Sequence, residues 1–160
     1  FFIPNTEYSL LRSLVGSEMC IRDRLYMVIA EFSVDDEFID PFGHLAEYGY
    51  YHYTIRALWH KSEEGGRLET FKKLGIGVVT LESHAEFKSE VFKDEDIVIE
   101  EFNSKNIEKP QLWKITLKIL KKETKEVSFT NTSKMAFFNT IKRKIIETPK
   151  ELEEPFFKKY

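Results

Sequence analysis

The chain has 160 residues, 42% hydrophobic, 32% charged and 14% aromatic, with 24 basic against 27 acidic residues and a net charge of −3. That is one domain's worth of chain, with enough apolar surface for a substantial core and too much for global disorder. No run approaches the ~20 apolar residues of a spanning helix. The near-balanced charge gives no general attraction to nucleic acid or to an anionic membrane, and the lone Cys20 excludes an internal disulfide.

Residues 1–24 read unlike the rest. Within them, residues 9–24 (SLLRSLVGSEMCIRDR) scatter Leu, Val, Met and Ile with no stop signal before the next segment. A signal peptide is a poor reading, because Arg12, Glu18, Arg22, Asp23 and Arg24 interrupt any apolar region and no small-residue cleavage site follows. The string resembles translated sequencing-adapter sequence. Residues 1–24 are therefore expected to be a non-native or disordered leader, and residues 25–160 a single domain. On that reading Cys20 carries no meaning, a localisation signal is missing with the natural start, and a cytoplasmic or organelle-matrix location is expected.

Residues 25–34 (LYMVIAEFSV) are rich in aromatic and β-branched types and predict a strand, which Asp35, Asp36 and Glu37 end. Pro41 and Gly43, close together in residues 38–44 (FIDPFGH), mark a turn. Over residues 45–63 the period changes. Leu45, Tyr48, His52, Ile55 and Trp59 fall three, four, three and four apart, which predicts one buried face of a helix. Glycine inside a helix costs about 1 kcal/mol relative to alanine, so Gly49 points to tight packing, with Ala46 and Ala57 as further small surfaces. Gly65 and Gly66 end this helix, and Leu68, Phe71 and Leu74 suit a short second one ended by Gly75 and Gly77.

The remainder predicts strand after strand. Val79, Leu81, Ser83, Ala85 and Phe87 alternate with polar residues, a half-buried pattern. Residues 93–96 form a polar turn, 97–102 a strand and 103–110 a loop. Ile115, Leu117 and Ile119 mark the next strand, residues 123–126 a turn, 127–138 a last strand and the tail a short helix or a frayed end. One long helix beside an antiparallel sheet is an α+β architecture. So apolar a helix should bury much of its circumference, under a curled sheet or against a partner.

The sharpest local feature is Asp40-Pro41-Phe42-Gly43-His44-Leu45, just before the long helix. Helix N-termini present unpaired N–H groups and partial positive charge, which can hold a carbonyl oxygen or an oxyanion. Asp40 is near enough in sequence to act there as base or nucleophile. The same residues also suit an ordinary turn and cap. Other candidates are weaker. His44, His52 and His60 lie eight apart, not as helix neighbours, and neither HExxH nor CxxC occurs, so no metal or cofactor is expected. His52 reads as a core residue and His84 as an exposed one. Ser83 and Ser89 lack the Gly-x-Ser-x-Gly setting of a serine hydrolase. The segment Tyr48-Gly49-Tyr50-Tyr51-His52-Tyr53 reads as core and dimer surface rather than a base-stacking platform.

Asp40-x-x-Gly43-His44, opening a helix rich in Tyr and small residues, resembles the active-site loop of the hotdog-fold acyl-CoA thioesterases of the 4-hydroxybenzoyl-CoA thioesterase-like group. Downstream, Leu74-Gly75-Ile76-Gly77-Val78-Val79, Glu82-Ser83-His84-Ala85-Glu86-Phe87 and Asp94-Glu95-Asp96-Ile97-Val98-Ile99 resemble that family's following strands, in order, over residues 28–150. The resemblance implies a hotdog fold, one helix wrapped by a curved antiparallel sheet. It implies an acyl-CoA or acyl-carrier-protein substrate, a place in lipid metabolism, and a homodimer or higher homo-oligomer whose protomers pair to make the site. It implies Asp40 as catalytic carboxylate, Gly43 and His44 as backbone donors, and Leu45, Glu47 and Tyr48 beside the substrate. Lys142-Arg143-Lys144 reads as a solvated turn, although it could meet the phosphates of coenzyme A. Three positions depart from the family pattern. Phe38 stands where many members have a second Asp, Ala46 and Glu47 stand where many have Asn, and no Pro occurs at residues 89–91. These departures bear on how water would be positioned; Glu47 reads equally as a polar substitute or as a solvated first-turn acid. The alternative function is a non-catalytic hotdog module that binds an acyl group or a partner. A hydratase of the same fold would need an acid/base His in a different motif.

Because residues 9–24 continue no downstream pattern, a chain beginning at Leu25 is expected to keep the melting temperature of the full chain. A fall of several degrees in calorimetry would make the leader part of the fold.

Overall fold

The computed structural model describes residues 26–106 and 108–157, the side chains of 154–156 excepted. The readings for residues 1–24 lie outside the described residues. Strand β1 (Met27–Ser33) and a 3-10 turn (Asp36–Phe38) lead into helix α1 (Glu47–Glu64) and a short α2 (Arg67–Leu74). Strands β2 (Ile76–Phe87), β3 (Asp96–Lys105), β4 (Leu112–Lys121), β5 (Val127–Asn139) and β6 (Lys144–Ile146) follow, and α3 (Lys150–Phe156) closes the described chain. The sheet order is β1-β3-β4-β5-β2, with every pairing antiparallel. Where β4 stops, at the pair Leu112↔Ala136, β6 takes its place beside Phe137, Phe138 and Asn139.

Period-two alternation sets which sheet face is buried. Ile97 and Ile99 of β3, Ile119 of β4 and Phe129 of β5 are fully buried, and α1 covers them with Tyr50, Tyr53 and Ala57. Each of the buried Ile and Phe side chains contributes about 1.5–3 kcal/mol by leaving water. A second cluster fills the other end, where Phe71 of α2 and Leu152 of α3 pack on Trp113, Ile115, Met135 and Phe137. The sheet curves around α1, as the α+β reading expected. Tyr53 is seated by its hydroxyl, which accepts the Asp35 N–H at 2.8 Å, and burial pushes its phenol above the ordinary range.

Gly49 sits where α1 meets the preceding loop. A Cβ there would stand 2.5 Å from the Leu45 Cδ1 and 3.1 Å from the Phe38 Cβ, both in buried side chains. The close approach that the sequence pointed to is present.

The predicted buried face of α1 is corrected. Tyr48, Ile55 and Trp59 are 59%, 51% and 54% exposed and His52 is exposed, while Gly49, Tyr50, Tyr53, Thr54 and Ala57 are buried. The helix carries apolar groups on nearly its whole circumference, so spacing alone did not separate the sheet-facing side from the other. His52 stacks on Phe38 with ring centroids 4.2 Å apart, outside the core that the sequence assigned it. Two loop readings also change. Residues 103–105 extend β3, because their backbone pairs with Trp113, Lys114 and Ile115, and Lys144 begins β6.

Beneath the C-terminal half of α1, the Lys61 ammonium donates to the Glu101 carboxylate at 2.8 Å, with side-chain exposures of 17% and 2%. Glu101 also accepts from Asn103 Nδ2.

Gly49→Ala tests the seat of α1. The mutation gains about 1 kcal/mol of helix propensity, but overpacking of this kind typically costs about 1–3 kcal/mol. Denaturant unfolding is expected to show net destabilisation of about 1 kcal/mol; a more stable variant would mean that Leu45 moves aside freely.

Candidate active site

Helix α1 begins three residues later than the Asp40–His44 motif ends, and the intervening backbone explains why. The Asp40 Oδ1 accepts the N–H groups of Phe42 at 2.9 Å and His44 at 3.1 Å, while the Gly43 N–H donates to the Asp40 carbonyl at 3.0 Å. A short polar side chain that accepts from the backbone two residues on is what makes Asp a turn former. Gly43 adopts φ +89°, a left-handed conformation that glycine takes at little cost. The turn closes as the Asp40 N–H donates to the His44 carbonyl at 2.8 Å, and Ile39 and Leu45 form an antiparallel bridge.

That loop is tied to a distant segment. The Leu45 N–H donates to the Val91 carbonyl at 2.7 Å, and His44 bridges Phe92. The residues just after β2 are thereby brought to Asp40. A cleft of about 400 Å³ results, lined by Asp40, His44, Leu45, Glu47, Tyr50 and residues 87–90. The His44 Nδ1 lies 3.5 Å from a Glu90 Oε1, an ion pair when the imidazole is protonated, and the His44 ring meets Phe92 edge-on at 5.3 Å. The Tyr50 hydroxyl donates to the Ser89 carbonyl at 3.3 Å, and burial pushes its phenol above the ordinary range.

The sequence-predicted site residues divide accordingly. Asp40, His44, Leu45 and Glu47 line one cleft. Gly43 shapes the loop without lining it. Tyr48 turns away, its hydroxyl donating to the Glu37 carbonyl at 3.0 Å. The N–H groups expected to serve as oxyanion donors are engaged within the loop: Gly43 on Asp40, His44 on the Asp40 carboxylate and Leu45 on Val91. The donors that remain belong to the first turn of α1. Its N-cap is Ala46, which offers no side-chain acceptor, so Glu47 and Tyr48 start the helix with uncapped N–H groups. Of the two, Glu47 lines the cleft. The carboxylate of Asp40 keeps Oδ2 without a hydrogen bond among the described residues. Sequence reasoning missed Tyr50, three residues along α1 from Glu47, and Lys88 and Glu90, which the Leu45–Val91 and His44–Phe92 contacts bring to the cleft. Among the described residues no group of three His, Cys, Asp or Glu could hold a metal ion, and no helix is long and apolar enough to cross a membrane.

A long helix in the curve of an antiparallel sheet, with an acidic loop at its N-terminus, defines the hotdog class. The chain belongs to the Thioesterase-like superfamily, whose family model matches residues 34–156. Solved structures share the fold. The chain is similar to a hypothetical protein from Staphylococcus aureus in complex with CoA, at 18% identity and TM-score 0.70 over 81% of each chain. It is similar to the 12:0-ACP thioesterase from Umbellularia californica, at 15% identity and TM-score 0.70 over 85% of this chain and 52% of that one. It is also similar to a 1,4-dihydroxy-2-naphthoyl-CoA thioesterase from Synechocystis, at 10% identity and TM-score 0.72 over 83% and 96%. No curated protein matches the sequence.

Proposed function

We propose that the protein is a thioesterase that hydrolyses acyl-CoA or acyl-carrier-protein thioesters, with Asp40 as nucleophile or general base. The observation that carries this reading is the division of labour within one carboxylate: Oδ1 is held by two loop N–H groups, and Oδ2 has no hydrogen bond among the described residues. A carboxylate fixed in this way needs no reorganisation when substrate arrives. The superfamily supports thioester chemistry, and the similar structures include one that holds CoA and one named for an acyl-carrier-protein substrate.

In the nucleophilic form, Oδ2 attacks the thioester carbon, the tetrahedral adduct expels the thiolate, and water hydrolyses the resulting anhydride. In the base form, Oδ2 takes a proton from water, which attacks the same carbon and expels the same thiolate. In both, negative charge develops on the carbonyl oxygen. The N-terminus of α1, with the Glu47 N–H foremost, stabilises it.

The reading includes a homodimer. Among the described residues strand β2 pairs only with β5, so its 12-residue outer edge is unpaired there. Leu81 and Phe87 along it, and Tyr48, Ile55 and Trp59 on α1, are more than 40% exposed. A bare edge with apolar neighbours is a liability that pairing removes. Antiparallel pairing of two β2 strands sets the Ile76 end of one protomer against the Phe87 end of the other, beside its Asp40. Sedimentation at micromolar concentration is expected to give a dimer; a monomer there would contradict a site shared between protomers.

Asp40→Asn isolates the chemistry. The Asn carbonyl oxygen can keep both loop hydrogen bonds, so the fold should hold while the reactive oxygen is lost. Turnover of a panel of acyl-CoAs, followed by thiol release, is expected to fall about 10²–10³-fold with little change in melting temperature. Equal turnover by variant and wild type would move the chemistry to Glu47 or Glu90, the other carboxylates of the cleft. Binding of acyl-CoA without any turnover by the wild type would replace the enzyme with an acyl-binding module.

A further inference from the structure

The turn between β5 and β6 interleaves apolar and cationic side chains: Ile141, Lys142, Arg143, Lys144 and Ile145. All five are exposed, Ile141 at 83% and Ile145 at 41%. Among the large apolar residues described, only Phe42 is as open to water as Ile141. The turn holds this isoleucine at its tip by backbone chemistry alone. Asn139 Oδ1 accepts the N–H groups of Ile141 at 3.1 Å and Lys142 at 2.7 Å. The Thr140 N–H and hydroxyl both donate to the Gly75 carbonyl at 2.9 Å. The Arg143 guanidinium lies 5.1 Å from the centroid of the Phe138 ring, and Phe138 is the cross-strand partner of Ile145. Arg143 and Ile145 therefore share one face of the sheet.

The link to Gly75 brings in the end of α2, whose last turn carries Lys72 and Lys73. Five exposed cations thus gather at one corner: Lys72, Lys73, Lys142, Arg143 and Lys144. Among the described residues none of the five forms an ion pair, whereas Lys61, Lys88, Lys93, Lys105, Lys121, Lys122 and Lys134 each reach a carboxylate. The acids nearest in sequence, Glu69 and Glu147, are exposed and leave the five unmatched. The corner is a local positive patch on a chain whose net charge is −3.

We propose that this corner docks the protein on an anionic lipid bilayer, with Ile141 entering the headgroup region and the cations facing the lipid phosphates around it. An apolar tip ringed by unmatched cations fits the boundary where acyl chains meet charged headgroups. A purely electrostatic partner would leave the isoleucine in water. Each basic residue near an anionic bilayer strengthens binding roughly fivefold, and only within a Debye length of about 8 Å. One isoleucine is a weak anchor and cations alone are screened by salt, so the two together make a reversible attachment. Docking of this kind requires neither the chemistry at Asp40 nor the dimer.

Flotation of the full chain with phosphatidylcholine vesicles, with and without phosphatidylglycerol, tests it. Binding to the mixed vesicles is expected to be tighter by about tenfold or more, and to weaken as KCl is raised. Replacing Lys73, Lys142 and Lys144 together by Gln should weaken it about 10²-fold. The same loss of charge at Lys93, Lys122 and Lys125, at the other end of the sheet, should change it by no more than about twofold. Ile141→Ser should weaken it several-fold, and Ile141→Trp should add fluorescence that shifts to the blue on the mixed vesicles. Equal binding to both kinds of vesicle, or equal loss from the two triple variants, would overturn the docking surface. So would full binding by Ile141→Ser, which would make the corner a patch for an acidic protein instead. Displacement by inorganic phosphate at matched ionic strength would show a pocket for a single anion and would overturn it too. None of these readouts involves turnover, so the outcome for Asp40 stands apart from this one.

Discussion

The close seating of α1 on the loop that leads into it governs the rest of the molecule. At Gly49 there is no room for a methyl group between the helix and the Phe38 and Leu45 side chains. That contact fixes where the helix starts. The helix start in turn fixes Leu45, whose N–H reaches Val91, and His44, which bridges Phe92. Through these two links a loop defined by local turn chemistry meets a segment nearly fifty residues away in sequence. The cleft exists because of that meeting, and every group in it inherits its position from the seat of the helix.

The same geometry explains a substitution of roles along the loop. Phe38, where a second acid is common in the resembling family, is buried and makes ring contacts with His52, Tyr48 and Tyr53. An acid in that spot would be buried against aromatic rings, a costly place for a charge. The polar groups that share the cleft with Asp40 are instead Glu47, Tyr50 and the His44–Glu90 pair. None of them replaces Phe38 in space. They line the cleft from the helix and from the segment after β2.

Much of the fold was legible because the chain signals it locally. The Asp-Pro-x-Gly turn, the glycine pair after α1 and the alternation of β4 each reflect a backbone requirement that short sequence carries. The sheet-facing side of α1 was not legible. With Tyr, Trp, Ile and Leu on almost every side, a three-four spacing can be drawn through either face, and the one drawn through Tyr48, Ile55 and Trp59 is the exposed one. Strand β6 was hidden by its composition, because Lys-Ile-Ile beside a basic turn has no pattern of its own and pairs only since β5 outruns β4. The turn built on Asp40 was legible, because its hydrogen bonds are local. That the Gly43, His44 and Leu45 N–H groups are taken up by the loop and by Val91 was not legible, because sequence shows that N–H groups stand near a helix start but not which of them the loop consumes. Glu90 was beyond reach, since tertiary pairing alone brings it to the cleft, and Tyr50 was hidden in a run of tyrosines that reads as core.

The central claim is that Asp40 and the start of α1 converge on one carbonyl. A crystal structure with a non-hydrolysable acyl-CoA ketone analogue, its sulfur replaced by CH₂, measures this directly. The account predicts the carbonyl carbon in contact with Asp40 Oδ2 and the carbonyl oxygen within about 3 Å of the Glu47 or Tyr48 N–H. A carbonyl bound away from that cleft, or with its oxygen turned from the helix, would contradict it.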